Sequence, residues 1–280
     1  MRKKAMYSFI LTILLLTISA KIDTTEANKN LDYSFFDHSL EIKKMQSEFE
    51  ENISSVVLDE NYSKFILADA IEKILNIEEN NQSQYFVYAD RNPKKQMVFV
   101  CLFNSVTRNI TIIGADKIST GDPKQNGHFI TPVGIFENSV KNPSYRALGT
   151  KNDKGWQGFG VKNSRVWDFG WQETAKHNQM IEIRLLMHAT DPVFGEKRLG
   201  KIDSKGCVRI SAKLNKFLDH YGILDKNYEE YKHLKTVSWL LAVDREPTSL
   251  AGKYLFIGDS EIMDNPSNII ENQRITVTNE

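Results

Sequence analysis

Hydrophobic residues follow one spacing up to about residue 80 and a different one from residue 85 onward. Between residues 35 and 80, apolar side chains recur every three to four positions, which predicts two amphipathic helices. The residues that set this spacing are Leu40, Ile42, Met45, Phe49, Ile53, Val56 and Val57, then Phe65, Ile66, Ala70, Ile71, Ile74 and Leu75. These helices carry no group suited to binding a ligand, so we expect them to serve in packing or in contact with a partner.

From Tyr85 the pattern becomes typical of β-strands. Two apolar runs, 85–89 and 97–103, are joined by a polar turn that contains Asn92 and Pro93, and together they predict a β-hairpin. Further strands are expected at 107–114, 129–136, 181–187, 237–243 and 254–258.

Two stretches interrupt these strands. The segment 140–179 is rich in Gly, Asn and Trp, so we expect loops there, with Trp156, Trp167 and Trp171 as packing anchors. Ser211 is a good N-cap for a later helix, which a glycine at position 222 would end. The pattern as a whole predicts a mostly-β, α+β domain over 85–260, preceded by an α-helical segment over 21–84 and followed by a polar tail over 261–280.

The first 20 residues are arranged like a secretory signal peptide. Positive charges at Arg2, Lys3 and Lys4 precede an apolar run over 6–18, and small residues follow. A spanning helix needs about 20 apolar residues, so this run is short for one. An uncleaved N-terminal anchor is the alternative. We therefore expect an exported protein on the periplasmic or cell-wall side, with no stable membrane span after signal cleavage.

Charge argues against a nucleic-acid partner. The chain holds 36 Lys and Arg against 36 Asp and Glu, so composition predicts no general surface for polyanions. The charges are unevenly spread, because residues 21–84 carry 6 basic and 14 acidic side chains. This front segment is acidic and the remainder is mildly basic.

Only two cysteines occur, Cys101 and Cys207. Two lone thiols in an exported protein either pair with each other or include one that is kept free for its chemistry. Cys101 lies within a predicted hydrophobic strand and is expected to be core. The sequence has neither a CxxC pair nor an HExxH motif, so we expect no metal site and no cofactor.

The stretch from His188 to Arg209 carries the candidate chemistry. A free thiol has a pKa of about 8.5, so a nucleophilic cysteine needs a base, and His188 at the end of a predicted strand can supply one to Cys207. Gly206 would let N–H groups point at a developing oxyanion, and a helix beginning soon after Cys207 would add its positive end. Arg209 could bind a substrate carboxylate or fix the loop. A buried structural cysteine beside a structural histidine is the alternative interpretation.

The same stretch resembles the signature of the L,D-transpeptidase (YkuD-type) family. That signature runs from a His across a loop to Ser or Thr, His, Gly and Cys, and then to an aliphatic residue and Arg or Asn. Here it reads Ser204-Lys205-Gly206-Cys207-Val208-Arg209. Supporting pieces occur in the same order, namely Asp90-Arg91-Asn92-Pro93, Ser119-Thr120-Gly121, the segment from Phe129 to Phe136, and Arg245-Glu246-Pro247-Thr248. The resemblance covers roughly residues 85–260.

This resemblance implies a YkuD-like fold and an enzyme of peptidoglycan biosynthesis and cell-wall biogenesis. Family members attack a stem tetrapeptide, release its terminal D-alanine and hold the remainder as a cysteine thioester. They then pass the acyl group to an amine of another stem, giving a 3→3 cross-link, or to a lysine of a cell-wall-linked protein. Transfer to water would make the chain an L,D-carboxypeptidase.

The resemblance also implies roles for individual residues. Carried onto this sequence, it makes Cys207 the nucleophile and His188 the base, with the Ala189 carbonyl orienting the imidazole. Gly206 and Cys207 N–H groups would form the oxyanion site, and Ser204 and Arg209 would shape the loop.

Position 205 departs from the family pattern, because Lys205 stands where a second histidine is common. Lysine there would act as a point charge and not as a base near neutral pH, which leaves the choice of acyl acceptor open. An ordinary solvated lysine is an equally good interpretation. His128 is a further candidate for the substrate cleft.

Other exported proteins differ in chain order or in chemistry. Papain-like enzymes place the cysteine before its histidine, and sortases place the histidine much further upstream than His188 and the arginine well after the cysteine. A non-catalytic cell-wall-binding module that keeps the fold is the remaining alternative, and native-state reaction of Cys207 with a thiol reagent would discriminate it.

Overall fold

The structure is a computed structural model that describes residues 38–53, 56–176 and 179–261. The chain divides into two units, residues 1–47 and residues 48–280. The second unit contains both sheets and the candidate site.

Two regions predicted from the sequence concern residues that the structure does not describe. The predicted signal peptide, 1–20, lies outside the described residues, as does the predicted tail from residue 262 onward. Within the described ranges, no helix is both long enough and apolar enough to cross a membrane.

The fold is α+β, and the described residues form two sheets with nine strands, five α-helices and one 3-10 helix. The helices are α1 (38–52), α2 (Glu60–Leu75), α3 (Ala212–His220), α4 (Lys226–Glu230) and α5 (Lys235–Ser238), and the 3-10 helix is Glu196–Arg198. The strands are β1 (Gln84–Asp90), β2 (Met97–Asn104), β3 (Asn109–Lys117), β4 (Gly134–Glu137), β5 (Tyr145–Arg146), β6 (Arg165–Lys176), β7 (Gln179–Ala189), β8 (Val208–Ile210) and β9 (Tyr254–Gly258).

The first sheet has the strand order β3-β2-β1-β9-β4. Strands β1 and β2 are antiparallel with Tyr88 opposite Phe99, which confirms the predicted hairpin. Strand β9 returns parallel to β1 from the other end of the chain. Both β1 and β2 are buried almost throughout, and α2 covers the face that carries Phe86, Tyr88 and Phe99.

Helix α2 is part of this core. Asp59 caps it by accepting a hydrogen bond from the Tyr62 N–H. Ile66, Ala70 and Ile74 recur every fourth residue and pack on the aromatic residues of the sheet. The predicted packing role is confirmed here, and this part of the predicted segment 21–84 belongs to the same unit as the sheet.

The second sheet has the strand order β5-β6-β7-β8. Strands β6 and β7 are antiparallel, whereas β8 runs parallel to β7 with His188 opposite Arg209. Alternation along β7 places Ile183, Leu185 and Met187 in the core. The intervening side chains, including His188, face the opposite way, toward the candidate site.

The expectation of loops over 140–179 is wrong from residue 165 onward, because β6 is a strand of 12 residues. A bulge between Asp168 and Trp171 breaks the alternation that would mark a strand, and Gly170 adopts φ +79° there. Of the expected anchors, Trp167 is fully buried, but Trp171 is 61% exposed on the far side of the bulge.

The strand predicted at 237–243 is also wrong, because this stretch forms α5 and the turns after it. Val237 and Leu240, three residues apart, form one buried cluster with Tyr228. That spacing belongs to a helix and not to a strand.

The strand predicted at 129–136 exists only from Gly134 onward. Pro132 has no N–H for a ladder, and the Thr131 hydroxyl is bonded to two other loops, at Gly121 and Gly206. By contrast, the helix predicted after Ser211 is confirmed, since Ser211 Oγ accepts from the Leu214 N–H.

Candidate active site

His188 lies on β7, and Cys207 comes directly before the neighbouring strand β8, on the same face of the second sheet. Because Met187 pairs with Val208 in a parallel ladder, Cys207 comes beside Leu186, and His188 pairs with Arg209. Residues that are diagonal in this way are about 7–8 Å apart between Cα atoms. We call this side of β7 and β8, with Leu186, His188, Cys207 and Arg209, the site face.

The imidazole of His188 is held in one orientation. Its Nδ1 lies 2.7 Å from the carbonyl oxygen of Ala189. A carbonyl only accepts, so Nδ1 carries the proton and Nε2 keeps the lone pair that a base needs. The ring is nearly buried and meets the edge of Phe159 at a centroid distance of 4.7 Å.

Burial, together with the nearby charge of Arg209, lowers the pKa of His188 to about 4 against the opposing effect of the bond to Ala189. The imidazole is therefore neutral at pH 7. It is in the form that can accept a proton.

The Cys207 thiol is partly buried among Tyr145, Ala147, Val166 and Leu186. Burial raises its pKa, and the carboxylate of Asp168 adds to this effect. The N–H of Leu186, which donates to the sulfur, and the charge of Arg209 act in the opposite direction. The thiol therefore rests neutral beside a neutral imidazole, and a nucleophile forms only if the proton moves to His188 during attack.

Ser204 ties the loop that carries Cys207. Its hydroxyl donates to the Cys207 carbonyl at 2.6 Å and accepts from the Gly206 N–H at 3.0 Å. Gly206 adopts φ +128°, a backbone conformation that other residues rarely adopt, so the position favours glycine. The prediction that Ser204 shapes this loop has a concrete basis in these bonds.

The predicted oxyanion site is only half present. The Gly206 N–H is bonded to Ser204, whereas the N–H of Cys207 has no acceptor among the described residues. The expected helix end is not at the site, because β8 intervenes and α3 begins at Ala212, whose N–H donates to Glu196.

Arg209 is fixed by an ion pair. Its Nη1 lies 2.8 Å from Asp203 Oδ2, and Asp203 also pairs with Arg198. Arg209 thus brings a positive charge to His188 and Cys207 without needing a ligand to hold it in place.

Several motif pieces converge on the Cys207 loop. Ser119 exchanges two backbone hydrogen bonds with Arg209, and Gly121 forms a bridge with Ser204. Thr131 Oγ1 donates to the Gly206 carbonyl at 2.9 Å. Arg245 is different, since it pairs with Asp225 and Glu229 beyond the end of α3.

The two remaining candidates are less defined. Lys205 is exposed beside Cys207. His128 is partly buried, and its Nδ1 has no hydrogen-bond partner within the described ranges. Its carbonyl accepts from Lys176.

A cavity of about 570 Å³ adjoins the site face. Its walls come from the segment 145–160, and they include Tyr145 and Ala147, which pack on Cys207, and Phe159, which packs on His188. This volume is typical of sites for small peptides or cofactors.

The segment 145–160 is held down near the site. Trp156 stacks on Phe194 at 6.1 Å, and the Arg198 guanidinium lies 5.0 Å from the Trp156 ring centroid. The Gln157 N–H donates to Asp191, two residues after the strand that carries His188.

The two cysteines do not pair. Cys101 is fully buried in the first sheet among residues of the α2 core, as expected, and burial raises its pKa. Cys207 is the thiol that lies near polar groups and packs with Tyr145 and Ala147, two residues that line the cavity.

Sequence reasoning missed Asp168 and Arg184, and it assigned Trp171 to packing, whereas the Trp171 ring lies beside the Arg184 guanidinium. Asp168 and Arg184 form an ion pair at 2.8 Å next to Cys207. No sequence signal links them, because a bulge sets which residues of β6 face β7.

Among the described residues, no group of three or more His, Cys, Asp or Glu side chains is arranged to hold a metal ion. Fold and site together define an α+β protein with a cysteine–histidine pair beside a cavity. A scan against models of known protein families and a search of curated proteins both found no match to this chain.

Proposed function

We propose that this chain is a cysteine-dependent L,D-transpeptidase that acts on peptidoglycan stem peptides through a thioester at Cys207. The observation that carries this proposal is the placement of Cys207 and a neutral, oriented His188 on one face beside a cavity of about 570 Å³. The order of residues from His188 to Arg209, with its family resemblance, supplies the substrate class. A YkuD-like arrangement of the two sheets is part of the same proposal.

In the proposed first step, Cys207 Sγ attacks the carbonyl carbon before the terminal D-alanine while His188 Nε2 takes the thiol proton. The oxyanion accepts from the Cys207 N–H, and Arg209 contributes positive charge. The C–N bond then breaks, His188 returns the proton to the departing amine, and the thioester remains.

In the second step, an amine attacks the thioester carbonyl and the thiolate leaves. His188 takes a proton from the amine and passes one back to sulfur, which restores the starting state. Stem amines, a protein lysine and water are all acceptors consistent with this chemistry. The proposed location is outside the cytoplasmic membrane, where such stems occur.

The test is intact-protein mass spectrometry after incubation with a muropeptide tetrapeptide, or with a carbapenem that would trap the thioester. The expected result is a mass increase of one acyl group or one drug molecule in the wild-type protein. Cys207→Ala should show none, and the matched control Cys101→Ala should react like the wild type. An adduct on Cys101 instead would overturn the proposal.

The second candidate function is a non-catalytic cell-wall-binding module. The observation that favours it is the partial burial of Cys207, which raises the pKa of the thiol and so disfavours the thiolate. Product analysis separates the two functions. A module would bind the tetrapeptide and leave it intact, whereas the enzyme would release D-alanine and form a cross-linked or hydrolysed product.

A further inference from the structure

The site face continues past Cys207 to an arginine that the proposed mechanism does not use. Arg184 lies on β7 two residues before Leu186, about 7 Å along the strand. Leu186 is the residue whose N–H contacts the Cys207 sulfur. Arg184 is therefore one step along the same face from the proposed nucleophile.

Two neighbours fix the Arg184 guanidinium. Its Nε donates to Asp168 Oδ2 at 2.8 Å, and Asp168 Oδ1 accepts from the Gly170 N–H. On the facing strand, Trp171 places its ring centroid 5.8 Å from the guanidinium carbon. The Asp168 side chain is only 3% exposed, whereas that of Arg184 is 42% exposed.

This pairing uses only one part of the guanidinium. The Nη groups of Arg184 donate to no acceptor among the described residues. An arginine held in this way presents a planar pair of donors, the geometry that matches a carboxylate. A flexible surface arginine would have to be ordered first, whereas this one is already ordered by Asp168 and Trp171.

The charges beyond Arg184 restrict where an anion can approach. Glu173 and Glu182 face each other across the strands and are exposed, one step further from Cys207. They repel an anion on that side. The favourable approach to Arg184 is therefore from the side of Cys207.

We propose that Arg184 determines donor specificity by binding a carboxylate of the acyl donor. This inference rests on the proposed function. A stem tetrapeptide offers two such groups, a carboxylate on the side chain of its diamino acid and the C-terminal carboxylate of D-alanine. The shared chemistry is a carboxylate, and amidation of one group at a time tells the two sources apart.

The experiment measures binding, so it does not depend on turnover. Full-length Cys207→Ala protein is titrated by calorimetry with three tetrapeptides: the free acid, the side-chain amide and the C-terminal amide. We expect one of the two amidations to weaken binding about tenfold, as for loss of a charge-assisted hydrogen bond at a partly exposed site. In the double variant with Arg184→Gln, the same amidation should have no effect, and Arg184→Lys should give an intermediate loss.

The matched control is Arg108→Gln. Arg108 is also an exposed arginine beside an aromatic ring, 6.0 Å from the Phe103 centroid, but it lies in the turn between β2 and β3 of the first sheet. The Cys207→Ala protein that also carries Arg108→Gln should keep the full tenfold difference in affinity between the free acid and the more weakly bound amide. Three outcomes would each overturn the inference. The difference in affinity could persist in Arg184→Gln, all three peptides could bind equally, or none of them could bind.

Turnover measurements separate this inference from the proposed function. With Cys207 present, Arg184→Gln should raise KM for the free acid about tenfold and leave kcat unchanged. A carboxylate preference that depends on Arg184 but comes with no thioester would overturn the proposed function and keep the Arg184 site. Thioester formation without discrimination between acid and amides would overturn the Arg184 site alone.

Discussion

Cys101 and Cys207 are two cysteines that lie in contrasting parts of one unit. Cys101 lies in the middle of β2, fully buried between the first sheet and α2, and every neighbour in its cluster is hydrophobic. Cys207 lies at the entrance to β8, where Arg209, Asp168 and the Leu186 N–H act on the sulfur. Burial raises the pKa of both thiols, but only Cys207 has groups that oppose this effect.

The comparison teaches that burial alone does not separate a structural thiol from a reactive one. What separates them is whether charged and donor groups converge on the sulfur and whether a base shares its face. The first sheet offers Cys101 none of these within the described residues. Three predictions test this difference, from the largest effect to the smallest.

Replacing His188 by alanine should have the largest effect. If neutral His188 takes the thiol proton during attack, His188→Ala should slow acylation of Cys207 by about 10²–10⁴-fold. The measurement is the rate of the mass increase by intact-protein mass spectrometry. His220→Ala, at the end of α3, is the control and should acylate at the wild-type rate. A wild-type rate in His188→Ala would place the base elsewhere and remove the main contrast with Cys101.

The pKa of His188 predicts a dependence of stability on pH. The folded state lowers this pKa to about 4 from an unfolded value near 6.5, so only the unfolded chain gains a proton between these values. The stabilisation from a neutral His188 is therefore complete above pH 6.5 and is lost as the pH falls toward 4. Denaturant unfolding of the wild type should show a larger loss of unfolding free energy from pH 7 to pH 5 than unfolding of His188→Gln. Equal losses in the two proteins would contradict the assignment.

Cys101→Ala should have the smallest effect and one of a different kind. Removing the sulfur from a packed core should lower the unfolding free energy by about 1 kcal/mol and leave acylation of Cys207 unchanged. A thiol reagent should label Cys207 in the native protein and Cys101 only in denaturant. Lost acylation in Cys101→Ala at unchanged unfolding free energy would reverse the comparison.

The elements that the sequence predicts well are those in which local signals agree. The β1–β2 hairpin combines two apolar runs with an Asn-Pro turn, and α3 combines a Ser211 cap with a terminal Gly222. The core position of Cys101 follows from its place inside an apolar strand.

The parts that the sequence could not predict depend on distant pairings. The length of β6 is hidden by the Gly170 bulge, and the run at 237–243 is too short for its period to distinguish strand from helix. Half of the expected oxyanion site is lost because Ser204 takes the Gly206 N–H, a bond that loop geometry alone decides. The pairing of Asp168 with Arg184 likewise depends on register and not on spacing.

Strand β7 also gives the molecule a safeguard during folding. Its alternate residues face either the core, as Leu185 and Met187 do, or the site, as Arg184 and His188 do. A slip of one residue against β6 would exchange the two sets, so that a guanidinium and an imidazole would enter the apolar core. A chain with this error could not reach the native state. The register of β7 that buries Leu185 and Met187 is therefore also the register that places Arg184 and His188 at the site.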